Sequence, residues 1–142
     1  MLVKVITATT QQERNDAFDI RKLVFVEEQN VPLELEIDEY EDSSTHFVLY
    51  NEGQPCGAGR FRTKDGLGKA ERICVLATVR GKGAGQLIMN ALEDVAKEQH
   101  LPGVILSAQT QAIPFYEKLG YEIISEEYMD AGIPHKTMKK IF

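Results

Sequence analysis

Residues 70 to 108, AERICVLATVRGKGAGQLIMNALEDVAKEQHLPGVILSA, set the strongest limit on how this chain can fold. AERICVLA (70–77) is an apolar run that reads as a strand. Gly81, Gly83 and Gly85 follow, and then Ala84, Leu87, Ile88, Ala91, Leu92, Val95 and Ala96 recur at spacings of three and four. That spacing puts them on one face of a helix, with Glu93, Asp94, Lys97 and Glu98 elsewhere on it. Pro102-Gly103 breaks the chain before VILSA (104–108), whose lack of alternation predicts a strand buried on both faces. Strand, helix and strand together form a β-α-β unit, which requires two parallel strands in one sheet.

The rest of the chain reads mostly as antiparallel pairs. A short strand is predicted at 2–6. Thr10 with Glu13 has the spacing of a capping box, opening a helix to about Gln29 that Val31-Pro32 stops. THFVLY (45–50) and the run from Pro55 to Thr63 flank an Asn-Glu-Gly-Gln turn and read as a hairpin. Asp65-Gly66 with Gly68 makes a further turn. A second helix is predicted over about 111–119, ended by Gly120, before closing strands at 121–129 and 134–142. The expected fold is α/β: a single mixed, twisted sheet flanked by helices, in one domain spanning 1–142.

With 142 residues, 43% hydrophobic and 27% charged, the chain has the makeup of an ordinary globular protein. Its formal net charge of -6 argues against nucleic acid or an anionic membrane as the main partner. Cys56 and Cys74 lack metal-ligand spacing and read as buried free thiols. His46 and His100 have no cluster of ligands around them, so no metal is expected. The first residues lack the apolar core of a signal peptide and no run is long enough to span a membrane, which predicts a cytoplasmic protein.

Three closely spaced glycines between a strand and a helix suit a backbone that must approach a ligand. Unpaired N–H groups and the positive end of the helix dipole converge there, so the stretch is a candidate anion cradle with pyrophosphate as the natural ligand. A Walker loop is excluded because Gly81-Lys82 is not followed by Ser or Thr. A dinucleotide fingerprint fails because Gln86 stands where the third glycine belongs and the first half lacks successive β-α-β units.

Arg80-x-x-Gly83-x-Gly85 resembles the [Q/R]-x-x-G-x-[G/A] signature of the GNAT superfamily, the N-acetyltransferases that use acetyl-coenzyme A. The predicted element order is similar to the GNAT fold over essentially the whole chain. SAQTQAIPFYEKLGY (107–121) resembles a second family segment, and RKLVFVEEQNVP (21–32) with GIPH (132–135) resembles a bacterial subgroup of small members. The resemblance implies that the backbone amides of the loop, with Gly81, Gly83, Ala84 and Gly85, hold the pyrophosphate, and that the Arg80 and Lys82 side chains either add charge there or stay solvated. It also implies that the backbone of Ile73, Cys74 and Val75 pairs with the pantetheine arm. Tyr116 matches the family tyrosine that protonates or stabilises the departing thiolate. Gln109 would contact the cofactor arm or an ordered water, and Phe115 would lie beside the acyl pocket.

The acceptor amine must lose a proton, and two candidates remain open. Glu71 alternates with Ile73 and Val75, but where some family members carry a carboxylate base this chain has Lys69. His135 lies in the GIPH segment, and imidazole suits proton transfer near neutral pH. The acidic stretch from Glu34 to Asp42 reads first as a solvated loop and second as a lining for a cationic acceptor, such as a small amine or a protein lysine. Glu28 and Gln29 would face the same pocket. Direct attack on acetyl-coenzyme A needs no acyl-enzyme, and so no role for Cys74 as nucleophile. A non-catalytic acyl-coenzyme A sensor shares the same loop, as does an enzyme for a different acyl group. Exposed sheet edges make a homodimer an open alternative.

Overall fold

The structure is a computed structural model that describes residues 3–142, so Leu2 of the first predicted strand lies outside the described residues. β1 (Val3–Thr7) leads to α1 (Gln11–Arg21), which opens with the predicted capping box between Thr10 and Glu13. Beyond Arg21 the helix widens to π geometry over Lys22–Glu28, where Gln29 N–H donates to the Val24 carbonyl at 3.1 Å. The chain continues through α2 (Leu33–Glu36), β2 (Thr45–Asn51), β3 (Gln54–Lys64), β4 (Leu67–Val75), α3 (Ala84–Glu98), β5 (Gly103–Gln109) and α4 (Ile113–Lys118). It closes with β6 (Glu122–Ile123), β7 (Tyr128–Asp130) and β8 (Ile133–Ile141). Among the described residues, no helix is long and apolar enough to cross a membrane.

The sheet order is β1-β2-β3-β4-β5-β8-β6, with β7 also paired to β8. Its pairs are antiparallel except β4 with β5, as the single β-α-β unit requires. Helices cover both faces, which is why central strands lose their polar alternation. On β2, Phe47 packs in the layer with Met89 and Leu92 of α3, while its neighbour Val48 packs against Ala17 and Ile20 of α1. The expected mixed sheet flanked by helices is therefore the observed one.

One predicted strand, 121–129, is instead two. After Ile124 N–H donates to the Thr137 carbonyl, the Ser125 hydroxyl accepts from Thr137 N–H at 2.8 Å. A side chain thus takes the ladder bond that the backbone would have made, and β6 ends there.

Two irregularities position the site. β4 and β5 pair only over Gly68–Ala70 and Val104–Leu106, although β4 runs on to Val75 and β5 to Gln109. The strands diverge beyond that point. On its other side β4 carries a bulge: Arg60 opposes Glu71 and Ala58 opposes Cys74, so two residues of β4 face one of β3. Arg72, inside the bulge, has φ 58°, left-handed for a non-glycine. The bulge interrupts the alternation by which Glu71 was expected to share a face with Ile73 and Val75.

Candidate active site

The gap between the diverging strands is the mouth of a cleft of about 860 Å³. Beyond Ala70, β4 has no strand partner on its β5 side. Leu76 N–H donates to the Cys56 carbonyl on the β3 side, at 2.8 Å. Because the peptide is trans, the Val75 carbonyl points the opposite way, into the gap. An edge of this kind pairs with a ligand's amides as it would with a strand.

At the end of β4 the chain passes through a 3₁₀ turn at Ala77–Val79 and reaches α3. Gly83 is the N-cap residue, at φ 81° and ψ 7°, and Gly81 is also left-handed at φ 76°. Neither position would crowd a Cβ, so conformation is what favours glycine there. Gly85 differs: a Cβ would lie 3.1 Å from the Phe115 ring, so the residue lets α3 and α4 close together. No side chain caps the first turn of α3. Its amides are therefore available at the positive end of a 15-residue helix that faces the cleft through Gly83, Ala84 and Gly85.

Glu71, Ile73, Cys74, Val75, Arg80, Gly81, Gly83, Ala84, Gly85, Gln109, Phe115, Tyr116 and His135 all line this one cleft. Lys82 does not line it; its side chain is exposed beside the loop. Tyr116 is 7% exposed, and its ring meets those of Phe115 and Tyr121 edge-on at 4.9 and 5.9 Å. Burial pushes its phenol well above the ordinary value, so the hydroxyl stays protonated as a donor. Tyr116 lines the cleft, and its oxygen is open to that cleft without a hydrogen bond to the protein among the described residues. Gln109 donates from Nε2 to Gln29 at 2.8 Å and accepts from Gln111, tying the end of β5 to the π-helical turn.

The two base candidates separate. Burial alone would raise the Glu71 carboxyl, but hydrogen bonds from Arg62 and Arg60 and the charges of Arg60 and Lys69 hold it at about 2. Its oxygens lie 2.8 Å from both arginines and 3.1 Å from Lys69. A carboxylate so committed does not take a proton near neutral pH, and the expectation of Glu71 as a base is corrected. His135 keeps a free lone pair. Its Nδ1 lies 2.7 Å from the Ile133 carbonyl, which can only accept, so Nδ1 carries the hydrogen and Nε2 is the acceptor in the neutral ring. Tyr128 stacks on the imidazole at 6.2 Å, anchored by hydroxyl contacts to Ser107 and Thr137.

The acidic stretch also needs correction. Glu36 and Glu41 are buried, with both Glu36 oxygens and both Glu41 oxygens on Arg21, which is itself 0% exposed. Arg60, equally buried, holds Asp38 at 2.7 Å and Glu41 at 3.1 Å. The stretch is thus in part a structural wall, in which Glu36, Asp38 and Glu41 are neutralised by Arg21, Arg60 and Arg72 while Glu34, Glu39 and Asp42 stay exposed. It is neither a wholly solvated loop nor a lining of free carboxylates. This network was missed from the sequence. The signal for it was an arginine in the middle of the apolar run CGAGRFR, six positions of which are buried. His46 is spent in the same region, with Nε2 on the Glu41 carbonyl and its ring against Phe18. Cys56 and Cys74 are free and buried, as expected. Among the described residues no group of three His, Cys, Asp or Glu side chains is placed to hold a metal ion.

The model of the Acetyltransferase (GNAT) domain family matches residues 7–142. The chain belongs to the GNAT acetyltransferase family. A GNAT relative from Bacillus subtilis, the uncharacterized N-acetyltransferase YjcF, is 54% identical over 139 residues, covering 97% of this chain and 99% of its own. Among solved GNAT structures, an acyl-CoA N-acyltransferase from Pseudomonas aeruginosa superposes with a TM-score of 0.86 at 25% identity, covering 98% of this chain and 99% of that one. A Lactobacillus plantarum protein named as an N-acetyltransferase reaches 0.91 at 27% identity, with 99% of each chain covered.

Proposed function

We propose that this protein transfers the acetyl group of acetyl-coenzyme A directly to a primary amine, of a small molecule or a protein lysine. The observation that carries the reading is the open β4 edge ending at the uncapped N-terminus of α3 within one cleft. An edge for amides beside amides for phosphates is the pair of features that a pantetheine arm joined to a pyrophosphate needs. Ile73, Cys74 and Val75 would hold the arm, and Gly81, Gly83, Ala84 and Gly85 the pyrophosphate. The bound molecule supplies a thioester carbonyl, whose carbon–sulfur bond breaks as the amine's nitrogen bonds to the carbon.

Within that scheme Tyr116 donates its hydroxyl hydrogen to the departing sulfur, and His135 Nε2 takes the proton that the amine sheds. That proton is passed on through solvent, so that the tyrosine oxygen is reprotonated before the next turnover. Cys74 takes no covalent part: burial pushes its thiol up to about 12, and a thiol so protonated is a poor nucleophile. The Tyr116 hydroxyl favours an enzyme over a sensor: it opens onto the cleft, and a binding module has no use for a free phenol there. The chemistry and the lack of a membrane-crossing helix among the described residues suit a cytoplasmic location.

Calorimetric titration with acetyl-coenzyme A tests the reading. Micromolar affinity, about -8 kcal/mol, is expected for the native protein. None is expected for Gly83→Trp, whose indole would fill the cradle at a position held at φ 81°. An unaltered affinity in the variant would remove the cradle from the mechanism.

A further inference from the structure

The cleft contains one ion pair that stands in the way of the ligand just described. Arg80, which opens the glycine loop, turns its guanidinium back across the end of β4. Nε and Nη2 both donate to the Val75 carbonyl, at 3.1 and 3.0 Å. The other edge of the same fork meets Glu28, at the end of the π-helical turn, with Nη1 to Oε2 at 2.7 Å and Nη2 to Oε1 at 2.8 Å. The carbonyl that Arg80 covers is the last one on the open edge of β4. A ligand amide cannot donate to it in the line that the guanidinium occupies.

We propose that Glu28 is a positioning residue for the coenzyme site: it holds Arg80 over the Val75 carbonyl, and a pantetheine arm must displace the guanidinium and break its pair with Glu28. The inference rests on the coenzyme A reading above. It assigns Arg80 two sets of partners, the carbonyl and Glu28 before binding, and after it the pyrophosphate that joins the arm to the nucleotide, which adenosine 3′,5′-bisphosphate lacks. The bidentate fork matches a carboxylate and a phosphate equally well, which is what allows the exchange. Gln29, the next residue, is hydrogen-bonded to Gln109 across the cleft, so release of Glu28 alters the tether between the π-helical turn and the end of β5.

The arrangement predicts a result that a plain charge effect would not give. Glu28→Gln keeps the side chain's shape but loses the ion pair, and the residue is 45% exposed, so folding is not at stake. Coenzyme A is expected to bind the variant about fivefold more tightly than the native protein, the scale of one well-formed exposed ion pair. Adenosine 3′,5′-bisphosphate, which carries phosphates but no pantetheine arm, is expected to bind both within twofold. In the native protein, the Arg80 Nε–H resonance should move when coenzyme A is added and stay in place with the bisphosphate. Equal tightening for both ligands would show Glu28 acting only as a negative charge near phosphates, and would overturn the proposal. Unchanged or weaker coenzyme A binding by the variant would do the same. If the native protein binds neither ligand, the coenzyme A reading itself fails and takes this inference with it.

Discussion

Replacing Tyr116 with phenylalanine is expected to slow acetyl transfer about a hundredfold while leaving the affinity for acetyl-coenzyme A unchanged. The phenylalanine ring can keep the edge contacts with Phe115 and Tyr121, because those involve the ring faces and not the oxygen. Only the hydroxyl is lost. Since that group has no partner in the cleft wall, its removal should leave stability equal or slightly raised, so a fall in rate cannot be put down to unfolding. Burial keeps the phenol protonated across the neutral range, so the native enzyme should show no loss of rate from its ionisation below pH 10. Thiol release, measured alongside calorimetry, separates the two quantities. Equal turnover in the variant would end the acid role for Tyr116.

Arg60→Leu is expected to destabilise the protein by about 3–5 kcal/mol, the cost of leaving buried carboxylates without their partner. Arg60 is fully buried and within 3.1 Å of Asp38, Glu41 and Glu71. Leucine fills most of the space but leaves these acids with less counter-charge. Urea denaturation gives the magnitude; a loss under about 1 kcal/mol would mean that water or Arg62 takes over. The same network sets the response to acid. Glu71 titrates at about 2 in the folded protein, against 4.5 for an ordinary glutamate, and Asp38 and Glu41 are also held low. The unfolded chain therefore binds protons first as the pH falls. Stability from these groups is complete above about 4.5 and drains away towards pH 2. Arg60→Leu should flatten that acid limb as well as lower the plateau.

Periodicity and turn chemistry carried most of the fold into view. The α3 stripe from Ala84 to Ala96 and the capping box at Thr10 each express a local rule that packing then respects. By contrast β5, expected to be buried on both faces, buries Val104, Leu106 and Ala108 and leaves Ile105, Ser107 and Gln109 half-buried. Three features were not legible because they depend on partners distant in sequence. The bulge at Arg72 follows the point where Arg60 and Glu71 meet across β3 and β4, and pairing register is invisible in either strand alone. Burial of Glu36 and Glu41 needs Arg21 from a different element. The break at Ser125 needs Thr137 opposite it. In the site, the glycine loop could be recognised because its chemistry is backbone conformation, which glycine announces. Glu71 was misjudged because its environment, three cations within 3.1 Å, decides its proton affinity more than its place on the strand does.

The three-residue contact between β4 and β5 gives this sheet an edge in its interior. Unpaired strand edges on a protein's rim are a hazard, because they recruit other chains into continuous sheets. Here the exposed row of peptide groups sits at the centre, roofed by the π-helical turn on one side and by α3 and α4 at its end. A partner strand arriving with its own neighbours and side chains cannot enter so narrow a slot. A slender, unbranched ligand with amides along its length can. On the proposed coenzyme A reading, the fold would turn the stickiness of a strand edge to recognition, with width as its guard against aggregation.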